Sequence, residues 1–278
     1  IGVFSSIGSH RRVRYNKSTF AQRFLMASKK RPTACVLIIG NEILSGRTQD
    51  VNLNFLATNF TELGVELVEA RVIADVEAAI IHAVNECREL YNYVFTTGGI
   101  GPTHDDITAG CIAKAFGVEL EQNPVARDLI GELCRRNGVE LNAARLRMAN
   151  VPVGASLIEN SVSGAPGFQM GNVFVLAGVP RIMRDMFDGC RARLAGGDVV
   201  QSRTVTAYLP EGIVAEPLRV LQEQCPDVEM GSYPFYQEGR FGTNLVLRST
   251  NEALLSRACN EIRDMVKELG GDPEAHES

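Results

Sequence analysis

No apolar run in this chain reaches the ~18 residues that a membrane-spanning helix requires. The longest, Cys35–Gly40 and Val173–Gly178, are short and end at glycine, so they read as buried strands. A helical membrane protein is excluded, and no membrane partner is expected. The seven cysteines include no CxxC pair and mostly fall within apolar patterns. Zinc-ligand spacing is missing and so is a disulfide framework, which leaves free core thiols in a reducing compartment. Acid is missing from Ile1–Asn41, which carries eight Lys or Arg residues. The remainder holds 20 basic against 33 acidic residues, a net of −13. A body that acidic repels nucleic-acid backbones, so no nucleic-acid partner is expected. Internal repeats and low-complexity stretches are also absent.

What is present suits a globular fold. The 278 residues are 45% hydrophobic, enough for one large domain or two small ones. Residues 1–32 have the Ser- and Arg-rich composition of an organellar transit peptide. Met26, however, opens MASKKRPTACVLIIGNE, which reads as a natural start. Residues 1–32 are therefore expected to be a disordered or targeting extension, or a miscalled start. The compartment expected is the cytoplasm, or the mitochondrion if the transit peptide is real.

From Pro32 onward, short apolar runs alternate with helical patterns, the signature of an α/β fold with a mostly parallel sheet. The first domain is expected over residues 33–196. Its strands are Cys35–Ile39, Val65–Ala74, Tyr93–Thr97 and Asn172–Gly178. Its helices carry stripes such as Leu53, Leu56, Phe60, Leu63 and, beginning after Asp75 as N-cap, Ile80, Ile81, Val84, Cys87. Pro124–Asn137 and Asn142–Asn150 read as two helices of an insertion, and Pro180 as a helix start. Gly196-Gly197 looks like a boundary. Beyond it, residues 199–271 follow a βαββα order, a small α+β appendage, and 272–278 form a tail.

The chemistry concentrates in Tyr93–Asp106, YVFTTGGIGPTHDD. A buried strand runs into Gly98, Gly99 and Gly101, then a proline, then two acids before a helix. Loops beyond the carboxyl ends of parallel strands are where ligands bind. Glycines admit an anion to backbone N–H groups, and a helix N-terminus adds its positive dipole end. Thr96, Thr97 and Thr103 offer hydroxyls to the same space. The loop is neither a Walker loop nor a GxGxxG fingerprint.

One acid at Asp105 or Asp106 is accounted for by helix capping. Two acids beside an anion site would repel it unless a cation intervenes, and Mg²⁺ is held by one or two carboxylates plus phosphates. Asp105 and Asp106 are therefore the candidate metal ligands; His104 reads as a bystander. A second polar cluster, Gly40-Asn41-Glu42 followed by Asp50 and Asn52, leaves the first strand toward the same crevice, although Asp50 equally suits a helix cap. Asp75 points to that edge or caps its helix. Ser163-Gly164-Ala165-Pro166-Gly167 and Gly178-Val179-Pro180 are loops able to close over a ligand, or plain turns.

At these residues a resemblance becomes specific. IIGNEILSGRTQDVN (Ile38–Asn52), TTGGIGPTHDDIT (Thr96–Thr108), LNAARLRMANVP with SGAPGF (Leu141–Phe168) and LAGVP (Leu176–Pro180) resemble the molybdopterin-binding domain family. Within it the chain is most similar to the N-terminal domain of competence/damage-inducible protein A and to the molybdopterin-binding domain of eukaryotic FAD synthase, with GSYP (Gly231–Pro234) shared by both. The resemblance implies a three-layer α/β fold and a homo-oligomer, trimer or dimer. It implies catalytic roles for Asp106 and Asp75. Substrate contacts are implied from Gly40, Asn41, Glu42, Thr96, Thr97, Gly98, Gly99, Gly101, Thr103, Ser163, Gly164, Pro166, Gly167 and Gly178. Two branches of the family are associated with divalent-metal-dependent (Mg, Mn or Co) hydrolysis of a pyrophosphate bond in ADP-ribose or FAD. Others adenylylate or bind molybdopterin, and a binding module without catalysis is a third alternative. The partner expected is a small nucleotide or pterin. FAD synthesis by this chain alone is not expected, since the stretch that resembles the family leaves no room for an adenylyltransferase domain.

Overall fold

The computed structural model describes residues 31–237 and 239–277. The extension expected at residues 1–32 thus falls, from 1 to 30, outside the described residues. The first strand, β1 (Thr33–Ile39), is buried along nearly its whole length. A non-alternating apolar run of that kind belongs in a parallel sheet covered on both faces. β1 pairs in parallel with β2 (Glu66–Ile73) on one side and β3 (Tyr93–Thr97) on the other. Short β4 (Leu120–Gln122) and β5 (Asn150–Pro152) form a separate antiparallel pair. β6 (Ser156–Ile158), β7 (Gly167–Met170) and β8 (Val173–Leu176) complete the main sheet, whose order is β2-β1-β3-β8-β7-β6. β8 runs parallel to β3, whereas β7 and β6 are antiparallel additions.

Helices cover both faces, giving three layers. Helices Asn52–Glu62 and Pro180–Cys190 bury Leu56, Phe60, Met183 and Phe187 against Val36, Phe95 and Phe174. On the opposite face, helices Glu77–Leu90 and Thr108–Phe116 bury Ile80, Val84 and Ile112 against Leu37, Val94 and Val175. Val94 and Phe95 fall in different layers because successive strand side chains alternate. The insertion is helical at Pro124–Arg136 and Ala143–Arg147, with a small core of its own around Ile130. Asn123 and Asn142 cap these two helices with side-chain acceptors.

The appendage is a four-stranded antiparallel sheet, β10-β11-β9-β12, made of β9 (Gln201–Ala207), β10 (Glu229–Gln237), β11 (Arg240–Ser249) and β12 (Pro273–Glu277). Helices Glu211–Gln224 and Glu252–Glu268 pack on it around Leu218, Leu245 and Ile262. The expected tail is corrected here: Pro273–Glu277 pairs antiparallel with β9. A ladder edge, not an apolar period, recruits that segment. Strands β6 and β7 also escape the sequence reading, for three- and four-residue strands are too short for a period to register. Among the described residues no helix is long and apolar enough to cross a membrane.

Candidate functional site

Because β2, β1, β3 and β8 run parallel, their carboxyl ends share one edge of the sheet. Asp75, Gly40, Gly98 and Gly178 therefore all lie along that edge. Much of its backbone is already committed. Gly40 N–H donates to the Ile73 carbonyl at 3.1 Å and Gly98 N–H to the Leu176 carbonyl at 3.1 Å. Asn41 N–H donates to Asp75 Oδ2 at 2.8 Å. Asp75 is thus a clamp between the β1 and β2 exits. As a helix cap it is corrected, because the following helix begins at Glu77 with Val76 at its N-cap and no side-chain cap. Asp50 does accept from Leu53 N–H at 2.9 Å, at the start of the next helix.

The glycine loop after β3 is shaped by steric necessity. Gly98 has φ +102°, and a Cβ there would lie 2.2 Å from the Ile39 carbonyl oxygen. Gly99 has φ +68°, and its Cβ would lie 2.1 Å from Thr108 Oγ1. Both positions admit only glycine, for backbone conformation and for close approach at once. Thr108 then locks the turn: its N–H donates to Gly99 O at 2.9 Å and its hydroxyl to Gly98 O at 3.1 Å. What remains free is informative. The N–H groups of Gly99, Ile100 and Gly101 have no acceptor among the described residues, nor do those of Ala109 and Gly110 in the first turn of the helix. First-turn amides have no intrahelical acceptor, and together with the dipole they favour an anion.

All five of these residues line one pocket of about 280 Å³. Its polar wall adds Thr103, Asp106, Glu77, Lys114 and Arg147; Val151 and Phe168 belong to its apolar wall. Asp106 Oδ2 accepts from Thr103 N–H at 2.8 Å and from the Thr103 hydroxyl, while Oδ1 has no partner among the described residues. Arg147 donates to the Pro102 carbonyl across the loop. Lys114 pairs with Glu77 at 2.6 Å, and that carboxylate holds the ammonium pKa above its ordinary value.

The expected site residues therefore divide. Gly99, Gly101, Thr103, Asp106 and Pro166 line the pocket. Capping by either acid is corrected, since the helix starts at Thr108 with Ile107 at its N-cap and no side-chain cap. Asp105 is exposed and outside the pocket lining; the neighbouring Thr103 hydroxyl keeps its carboxylate pKa below the ordinary range. Thr96 and Thr97 are buried beneath the loop, and their hydroxyls have no hydrogen-bond partner among the described residues. Adjacent positions in a strand face opposite layers, so the two hydroxyls do not share one space. Gly40, Asn41, Glu42 and Gly178 stay at the strand exits, with Gly178 O accepting from Asn52 Nδ2 at 2.8 Å. Ser163 and Gly164 belong to a turn organised by Asn160. Gly167 sits in β7, where a Cβ would lie 2.5 Å from the Val175 carbonyl, a packing position and not a ligand loop.

Arg147, Lys114 and Glu77 were not singled out by the sequence reading. Arg147 lies inside the quoted LNAARLRMANVP stretch, and a cation in an insertion that folds back on the glycine loop was the available signal.

Comparison with known proteins shows the family and the fold. Residues 35–195 match the family described as a probable molybdopterin binding domain, and residues 199–270 match the FAD synthase middle domain. A protein of Aeropyrum pernix is 32% identical over 261 residues, spanning 87% of this chain and 97% of its own. A probable FAD synthase of Caenorhabditis elegans is 30% identical over 261 residues, covering 85% of this chain but 50% of that enzyme. This chain thus spans about half the length of that relative. Among solved structures, the protein CinA with unknown function from Thermoplasma acidophilum is 32% identical, with a TM-score of 0.53 over 58% of this chain and 97% of that one.

Proposed function

The chain belongs to the molybdopterin-binding domain family, and from that premise we propose that it binds the phosphoanhydride of an adenine nucleotide such as ADP-ribose or FAD and hydrolyses it with a divalent metal. The observation that carries this reading is the set of unpaired amides, Gly99, Ile100, Gly101, Ala109 and Gly110, around one small pocket. A cluster of main-chain donors at a helix N-terminus suits phosphate oxygens. Arg147 and Lys114 on the same wall offset further negative charge.

The residues present fit a Mg²⁺-type cation. Such an ion takes one or two carboxylates and completes its shell with water and substrate phosphates. Asp106 Oδ1, free beside the amides, supplies one carboxylate oxygen, while Thr103 fixes the other oxygen and so the side-chain direction. Asp105 is a weaker candidate because its exposed carboxylate lies outside the lining. When bound, a divalent ion would polarise the phosphoryl group and acidify a water. The chain's own part is positional: the amides hold the phosphates against the helix, Arg147 and Lys114 orient them by charge, and the walls limit water.

Purified protein incubated with ADP-ribose or FAD and Mg²⁺, Mn²⁺ or Co²⁺ is expected to release AMP, with none in EDTA. Absence of AMP with all three metals would remove hydrolysis and leave binding alone. The FAD synthase-like second unit supports a flavin nucleotide as one substrate class to include.

A further inference from the structure

Away from the pocket, β1 and the helix Glu77–Leu90 each place a cysteine in one buried layer. Cys35 follows the single irregularity in the β1–β2 register, between Ala34 and Cys35. Cys87 lies in the last turn of the helix. Both are fully buried, and their sulfur atoms are 3.5 Å apart, with the Cys35 thiol donating to Cys87 Sγ. Among the described residues no other pair of thiols is in hydrogen-bond contact.

The surroundings of the pair are charged. Glu69 accepts from Arg71 Nε at 2.7 Å, Arg71 Nη2 at 3.2 Å and the Tyr91 hydroxyl at 2.6 Å. Arg71 also reaches Glu86 at 2.6 Å. Cys35, Glu69 and Cys87 bring three potential ligand atoms within 4.8 Å of one another. A metal is nevertheless poorly served, because both Glu69 oxygens are engaged and a guanidinium stands beside them. The same arrangement favours a thiolate. Donation from Cys35 pulls the Cys87 thiol below its ordinary pKa, with the Arg71 charge adding to it, against burial and the Glu69 and Glu86 carboxylates. Cys35, as the donor in a buried site, is pushed up. Cys87, as the acceptor of the Cys35 hydrogen bond, is the sulfur placed to carry the charge.

We propose that Cys35 and Cys87 form a reversible oxidation site that takes hydrogen peroxide, with Cys87 as the attacking sulfur and Cys35 as the resolving one. Peroxide is the oxidant because both sulfurs are fully buried. Arg71 and Glu69 beside the pair have side chains 24% and 32% exposed, so a local opening at that edge would admit so small a reagent. The Cys87 thiolate attacks one peroxide oxygen, the O–O bond breaks, and hydroxide leaves as water with the proton that Cys87 gave up. The Cys87 sulfenic acid is then attacked by Cys35 sulfur. The S–O bond breaks, and the hydroxide takes the Cys35 proton to form a second water. Two thiols are oxidised and one peroxide is reduced to two waters. The sulfurs must close from 3.5 Å to about 2.05 Å, a small adjustment for a strand and a helix already in contact. The link would tie β1, which exits at Gly40, to the helix whose first residue, Glu77, lines the pocket.

The test is thiol mapping of the wild-type protein after brief treatment with stoichiometric peroxide, alkylation in denaturant and peptide mass analysis. A single Cys35–Cys87 disulfide is expected, with five of the seven thiols alkylated and all seven recovered after dithiothreitol. Cys35→Ser, which keeps a hydroxyl donor beside Cys87, should leave Cys87 as a sulfenic acid that dimedone captures, whereas Cys87→Ser should leave Cys35 a thiol. Cys225, the one cysteine that is not fully buried, reports plain exposure. Oxidation of Cys225 while Cys35 and Cys87 stay reduced would overturn the proposal, as would a link that forms only after unfolding. The wild-type mapping does not depend on either variant folding.

Discussion

Two segments look alike as sequence, Thr97–Asp106 and Ser163–Gly167: each mixes glycines, hydroxyl residues and a proline. Their environments separate them. The first leaves a parallel strand at the sheet edge and ends on unpaired amides facing a pocket. The second closes on itself. Asn160 Oδ1 accepts from Val162 N–H and Ser163 N–H, both at 3.0 Å, and its amide donates to Ala165 O at 2.8 Å. Of this segment only Pro166 reaches the pocket wall. Composition marks a turn in both cases; what makes one a site is donors left over once the turn has satisfied itself.

Substitutions can break or sharpen that contrast. Gly98→Ala should cost most, about 3 kcal/mol or more, because the positive φ is strained and the obstructing atom is the fixed Ile39 carbonyl. Gly164→Ala should cost about 1–2 kcal/mol: its φ is also positive, but the nearest atom, Leu133 Cβ, stands at 2.9 Å, much farther off than the Ile39 carbonyl oxygen at 2.2 Å from Gly98. Urea unfolding of the two variants side by side measures the difference. Equal losses would mean that the close approach at Ile39 is unimportant.

Asp106→Asn comes next. Metal-dependent AMP release should fall by at least ~100-fold, a transition-state loss near 2.7 kcal/mol. Stability should change by only about 1 kcal/mol, since the amide can still accept from Thr103. Steady-state rates and unfolding curves give the two numbers, and intact turnover would strip Asp106 of its role. Asn160→Ala should do the reverse. It loses buried hydrogen bonds worth about 2 kcal/mol of stability, while nucleotide affinity at 25 °C stays that of the parent. Arg147→Met is the mildest, with nucleotide affinity about 10-fold weaker and stability nearly unchanged. Calorimetric titration reads that shift.

Much of the fold was legible because parallel strands buried on both faces carry short apolar runs, as in Cys35–Ile39 and the Tyr93–Phe95 start of β3, and because helical stripes such as Ile80, Val84 and Cys87 are periodic. Strands β6, β7 and β12 were not, since their existence depends on a neighbouring edge and not on their own pattern. In the site, glycines at 99 and 101 and the acid at 106 were found by their order after a strand. Arg147 was missed because it comes 45 residues after Pro102, brought in by the insertion's path. The threonine pair was misjudged for the opposite reason: adjacency in sequence suggested a shared space that strand alternation denies.

Hydrogen–deuterium exchange of the protein with and without ADP-ribose and Mn²⁺ tests the central claim most directly, because it reports where backbone donors become occupied. Protection concentrated in residues 99–110, with a smaller effect around Arg147, is the predicted result. Saturating ligand that leaves 99–110 exchanging as before, and instead protects only Gly40–Asp50 or the 201–249 sheet, would contradict it.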